Sequence, residues 1–163
     1  MFSFQNYYSL YKKWGIDVVK SKYDREVFPS FWENFERYTV ERRFICHQEV
    51  RNELIARNVK DDEYFKYIDN LGIFADSQTC YSIENQEIVK QLAQKKQNIF
   101  DGVVNKVNWA DPWLIAMAKN HNLIIITTEK DDPKRDKLPT LARLFDVQCI
   151  DKNSFFKQEG WRF

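Results

Sequence analysis

Phe31, Trp32, Phe35 and Tyr38 recur at the three- and four-residue spacing that gathers side chains on one face of a helix. Pro29-Ser30 precede them, and Ser30 is of the residue type that caps a helix start. Phe44-Ile45-Cys46 is a short apolar run suited to a buried strand, and it leads directly into Val50, Leu54 and Ile55, again at helical spacing. Tyr64, Phe65 and Ile68 predict a helix over 61–70, and Ile88, Leu92 and Ala93 predict a longer one over 83–97. Ala110-Asp111-Pro112-Trp113 reads as a helix start, because Asp111 can accept from free amides while Pro112 occupies a first-turn position that needs no N–H. Trp113, Leu114, Met117 and Ala118 give that helix its apolar face.

Leu123-Ile124-Ile125-Ile126 carries no polar alternation, as expected for a parallel strand covered on both faces, and it ends at Thr127-Thr128-Glu129. A polar loop follows, then a helix through Leu141, Leu144 and Phe145, a short strand over 147–150 and a last helix over 151–159. Strands that alternate with helices require parallel crossovers. The expectation is an α/β fold, a three-layer α/β/α sandwich with a mainly parallel central sheet.

Composition supports one domain over residues 1–163. Hydrophobic residues make up 44% and aromatics 16%, against only four Gly and four Pro, so no linker divides the chain. With 25 basic and 24 acidic residues the net charge is +1, and any nucleic-acid-binding surface must be local. Candidates are Lys12 with Lys13, Lys20 with Lys22, Arg42 with Arg43, and the cluster Lys134, Arg135, Lys137. No stretch reaches the ~18 apolar residues of a membrane span. The opening residues lack a secretory pattern, so a cytoplasmic protein is expected. Cys46, Cys80 and Cys149 are odd in number and suit reduced thiols, and two isolated histidines, His47 and His121, give zinc little support. No glycine-rich phosphate loop is present.

Open parallel sheets bind ligands beyond the carboxyl ends of their strands. Three acids fall there: Glu53 on the helix after the first clear strand, Asp111 at the start of the helix before the aliphatic strand, and Glu129 just after that strand. Each has an ordinary explanation, as a solvated helix residue, a cap or a turn acid. Brought to one point, they would repel one another unless a cation joined them, and hard oxygen ligands suit magnesium or manganese. Such a centre activates water against a phosphodiester.

The segments Val27-Phe28-Pro29-Ser30-Phe31-Trp32, Val50-Arg51-Asn52-Glu53-Leu54, Ala110-Asp111-Pro112-Trp113-Leu114-Ile115-Ala116, Thr127-Thr128-Glu129 and Gly160-Trp161-Arg162-Phe163 together resemble a bacterial subgroup of PIN-domain proteins, over most of the chain from about Tyr23 onward. The resemblance implies a PIN-like fold and a metal-dependent endoribonuclease, in many bacterial cases the toxin of a toxin–antitoxin pair. Carried over by position, it makes Glu53, Asp111 and Glu129 the catalytic and metal-binding acids. Thr127 then becomes the hydroxyl that orients the Glu129 site, and Asp131 a further acid or a solvated loop residue. It implies Mg or Mn as cofactor, RNA as substrate with Lys134, Arg135 and Lys137 along its path, an antitoxin protein as partner, and pairing into homodimers.

One feature departs from the family. PIN domains begin with an apolar strand ending in a metal-binding Asp, and counting back without gaps from Phe28-Pro29 puts Tyr11 at that place. Asp17 is the nearest acid and would serve as a metal ligand only with a shifted strand. The alternative expectation is therefore a catalytically impaired PIN-like module that binds a partner.

Overall fold

The computed structural model of the protein describes residues 6–10, 14, 22–57, 60–96, 110–132 and 134–163. Four strands form one sheet, β1 (Tyr8–Leu10), β2 (Phe44–Ile45), β3 (Ile124–Ile126) and β4 (Cys149–Ile150), in the order β2-β1-β3-β4. Every pairing is parallel. Tyr8 lies opposite Phe44 and Ile124, and Ile125 lies opposite Cys149. The expected α/β/α layering with a parallel sheet is present. β1 occupies an inner position, although Tyr8-Ser9-Leu10 carries little strand signal of its own.

The helices are α1 (Pro29–Val40), α2 (Gln48–Ala56), α3 (Glu63–Asn70), α4 (Ser77–Cys80), α5 (Ile83–Lys95), α6 (Ala110–His121), α7 (Leu138–Arg143) and α8 (Lys152–Glu159). Their starts follow from capping chemistry. Asp62, Asp76, Ser82 and Asp151 each accept main-chain N–H groups at the head of α3, α4, α5 and α8. The start of α1 differs from expectation: Phe28 stands at the cap without a side-chain bond, Pro29 takes the first turn, and Ser30 lies inside the helix. Proline's fixed φ is enough to begin the turn there. α6 likewise begins at Ala110, so that Asp111 and Pro112 both lie in its first turn. The helix through Leu141 stops at Arg143, with Leu144 as its terminal cap, and the last strand shortens to Cys149–Ile150.

The two faces of the sheet are packed with different materials. On one, α1 and α8 close over Tyr8 and Phe44 with rings: Tyr8 to Phe155 at 4.8 Å between centroids, Tyr38 to Trp161 at 5.0 Å, and Trp14 to Phe44 at 5.7 Å. Edge-to-face pairs dominate this layer, as the ring quadrupole favours. The high aromatic content is thereby largely spent on packing. On the other face α6 is buried along Leu114, Ile115, Ala116, Met117 and Ala118 and packs against α2, α5 and α7. Small and flexible side chains allow a central helix to be surrounded in this way.

Three helix-to-strand turns share one device. Arg42, Asn122 and Asp146, which link α1 to β2, α6 to β3 and α7 to β4, all adopt positive φ, at 57°, 53° and 56°. A left-handed residue after the last helical turn reverses the chain into the strand. Arg43, next to the first of these turns, is not surface charge, contrary to its place among the candidate basic residues. Its guanidinium is buried against Glu159 at 2.7 Å and lies 4.0 Å from the Tyr38 ring. No helix among the described residues is long and apolar enough to cross a membrane.

Candidate functional site

Because the sheet is parallel, all strands end at one edge, and helices that return to the next strand begin near it. Glu53 comes to that edge on α2, which follows β2, and Asp111 comes to it in the first turn of α6, which runs back to β3. The two helices pack together. Glu53 is 2% exposed and Asp111 8%. Glu53 Oε1 accepts the Ala110 N–H at 3.0 Å, so one buried carboxylate holds the start of the helix on which the other is the next residue. Glu53 reaches across 57 positions to Ala110, so the two acids come to one helix start. The positive end of α6 lowers the cost of keeping negative charge there.

Thr127 follows β3 and is 2% exposed. Its hydroxyl accepts the Glu129 N–H at 3.0 Å, and Glu129 Oε2 accepts the Leu138 N–H at 3.1 Å, the first residue of α7. Glu129 is half-buried and folded towards that helix. Each glutamate of the candidate site thus has one oxygen fixed by a main-chain amide. Asp131 turns away: it is exposed, accepts the Thr140 hydroxyl at 2.6 Å and pairs with Arg143. The Thr140 bond, aided by Arg143, holds its carboxyl below the usual carboxylate range. It is an engaged surface residue.

Asp17 and Tyr11 lie outside the described residues. Among the described residues no group of three or more His, Cys, Asp or Glu stands close enough to hold a metal ion. The structure brings Glu53 to Asp111 and places Glu129 after a neighbouring strand on the same edge.

Lys134 and Arg135 are exposed, and Lys137 caps α7 half-buried and without a side-chain cap bond. Arg135 stands 3.6 Å from Asp132 with both side chains substantially exposed, a loose pair in water. Asp136 in the same loop pairs with Lys96 at 3.0 Å. Lys12, Lys13 and Lys20 lie outside the described residues, and Lys22 is exposed.

The edge also carries a group of rings that the spacing of apolar residues does not single out. His47 caps α2, its Nδ1 accepting the Glu49 N–H at 3.0 Å while Nε2 lies 3.0 Å from the Cys80 carbonyl. These contacts require the neutral tautomer with the proton on Nε2, and burial pushes the imidazole pKa down despite the Cys80 bond. Both ring nitrogens are thereby engaged. Trp113 stacks near His47 at 5.7 Å and meets the Tyr81 edge at 5.1 Å. Tyr81 in turn donates to Glu49 at 2.6 Å. Periodicity assigned Trp113 to the core face of its helix, yet it is only half-buried. The three cysteines are free; burial pushes the Cys46 thiol up strongly, Cys80 to about 11 and Cys149 to about 12.

The model of the family described as "Domain of unknown function (DUF4411)" matches residues 14–163, and the chain belongs to that family. No curated protein and no solved structure matches the chain.

Proposed function

We propose that this DUF4411 member is a PIN-like, metal-dependent endoribonuclease of the cytoplasm, the toxin-type component of a toxin–antitoxin pair. The observation that carries this reading is the meeting of Glu53 and Asp111, both buried, at the first turn of α6. Two buried carboxylates at one helix start exceed what a cap needs, since a neutral Ser or Asn caps as well, and acidity in the interior conflicts with burial. A divalent cation removes the conflict. The donor set fits magnesium or manganese, which take hard oxygen ligands and are often held by one or two carboxylates together with substrate phosphate.

Glu53 and Asp111 would hold the ion, with Glu129 further along the same edge and Asp17 as the remaining candidate ligand. When bound, the metal supplies Lewis-acid polarisation of a phosphodiester and a lowered pKa for water. The chain's own part is positioning. The Ala110 amide fixes the Glu53 carboxylate, Thr127 and the Leu138 amide fix Glu129, and the neighbouring loop with Lys134, Arg135 and Lys137 meets the phosphate chain. Incubating the pure protein with single-stranded RNA and manganese tests the proposal. Cleavage should fall by about 100-fold or more in Asp111→Asn, as expected when a reacting group is misplaced. Equal cleavage by parent and variant would eliminate it.

A second reading rests on a specific observation: β1 ends at Leu10 and Tyr11 follows, where the resembled family has Asp. On this reading the fold is retained for docking an antitoxin-like protein and hydrolysis is impaired. Calorimetric titration separates the two, since tight manganese binding that Asp111→Asn abolishes argues against a purely structural role.

A further inference from the structure

We infer that Trp113 and Tyr81 form a stacking platform for an unpaired base, which makes single-stranded RNA, rather than duplex, the form that this edge of the sheet accepts. The inference rests on the nuclease reading for the identity of the ligand and on a separate set of residues for its evidence. Trp113 is two positions beyond Asp111 on α6, and Tyr81 is tied through its hydroxyl to Glu49, one helical turn before Glu53 on α2. Along α6 and α2 the rings therefore lie within about one helical turn of the buried acids. Both remain half-buried.

Their fixation is what suits them to a ligand. His47 supports Trp113 from beneath the edge at 5.7 Å with planes 30° apart, and His47 is itself held at both ring nitrogens. Tyr81 meets Trp113 at 78°, so the two rings form a corner and not a parallel stack. A ring held by rigid neighbours loses little freedom when a base lies on it, and stacking on aromatic side chains is tolerant of sequence. Bases in a duplex present no face to such a surface. A scissile phosphate at the acids and an unpaired base on the rings would fix the strand at two points, while the basic loop beyond Glu129 holds the chain electrostatically.

The test is fluorescence anisotropy with labelled single-stranded and duplex RNA of equal length, in EDTA, so that binding is read without metal or cleavage. Trp113→Leu keeps an apolar side chain against His47 but has no π-face, and Trp113→Phe restores a ring. The parent should prefer the single strand. Trp113→Leu should weaken that binding about tenfold, Trp113→Phe should recover most of it, and the dependence of affinity on salt should be unchanged in both, because stacking releases no counterions. The triple variant Lys134→Ala, Arg135→Ala, Lys137→Ala should instead flatten the salt dependence. Equal affinity of Trp113→Leu and parent, or parent affinity for duplex as high as for single strand, overturns the platform. Tyr81→Phe, which keeps the ring and loses only the Glu49 bond, is expected to bind within a few-fold of the parent; Tyr81→Leu is not. The two proposals fail separately. Cleavage that depends on Asp111 with binding that ignores Trp113 removes the platform alone, and Trp113-dependent binding without manganese-dependent cleavage removes the hydrolysis alone.

Discussion

Replacing Glu159 with alanine should remove a large share of the protein's stability, because this carboxylate is the acceptor at the centre of a buried polar knot. It receives the hydroxyl of Tyr8 at 2.5 Å, the hydroxyl of Tyr38, and the Arg43 guanidinium at 2.7 Å. The Arg43 and Glu159 side chains are 9% and 11% exposed, so water screens the pair poorly. Deleting one partner of a buried pair leaves the other charge uncompensated and costs about 3–5 kcal/mol. Against a total of roughly 5–15 kcal/mol for a domain, that is about a fifth of the margin or more. With a urea slope of about 2 kcal/mol/M, the midpoint should fall by about 2 M at constant slope. Arg43→Met with Glu159→Met should lose less than Glu159→Ala alone, because no charge is then stranded. The pH dependence has a definite sign. Burial pushes the Glu159 carboxyl up, but the bonds from Tyr38, Tyr8 and Arg43 outweigh it and hold the pKa below the ordinary value. The stabilisation is thus complete above an unfolded pKa of about 4.3 and is lost as pH falls from there through the folded value. A Glu159→Ala shift under about 0.5 M, the behaviour of an exposed pair, would refute the reasoning.

Arg42→Gly should raise stability by about 1 kcal/mol, because a side chain at φ 57° is strained where glycine is not; its exposed bond to the Gly72 carbonyl offsets little of the gain. Asn122→Gly should gain less, since Asn tolerates that region, and the two urea midpoints compared with the parent's check the order. His47 has a lowered folded pKa, so its contribution is present above about pH 6.5 and declines as pH falls through the window below it. Urea midpoints between pH 7.5 and 5.5 should show that decline, and His47→Asn, which still caps α2, should flatten it. In metal-free buffer Asp111→Asn should leave the urea midpoint close to the parent's, because an amide oxygen accepts at a helix start as a carboxylate does. A loss of more than about 1 kcal/mol would show that the negative charge itself, and not merely an accepting oxygen, holds the start of α6.

Long elements with a single rhythm were legible from the residues. The aliphatic run before Thr127 became β3, and the periodic stretches around Phe31, Ile88 and Leu114 became α1, α5 and α6. The failures have local causes. β1 is three residues long and contains Ser9, so its strand character comes from pairing with β2 and β3 and not from composition. Ser30 looked like a cap, but proline at position 29 begins the helix one residue earlier. Arg43 looked like surface charge because its partner lies 116 positions away. For the candidate site, spacing pointed to the carboxyl edge of the sheet, where α2 and α6 carry Glu53 and Asp111, while the Ala110 amide that links the two is a tertiary contact no local pattern contains. Trp113 was read as core because helical spacing describes a face and does not say how completely it is covered.

The two edges of the sheet compensate charge by different means, and the difference bears on function. At the amino edge Glu159 meets the chain's own cation, Arg43, and two tyrosines, a closed arrangement that holds α8 against β1 and α1. At the carboxyl edge the described compensation for Glu53 and Glu129 comes from main-chain amides at the starts of α6 and α7. An amide dipole supports a carboxylate without neutralising it and fixes its position. On the proposed reading, acids held by helix starts would meet an arriving ion and phosphate with side chains already in place.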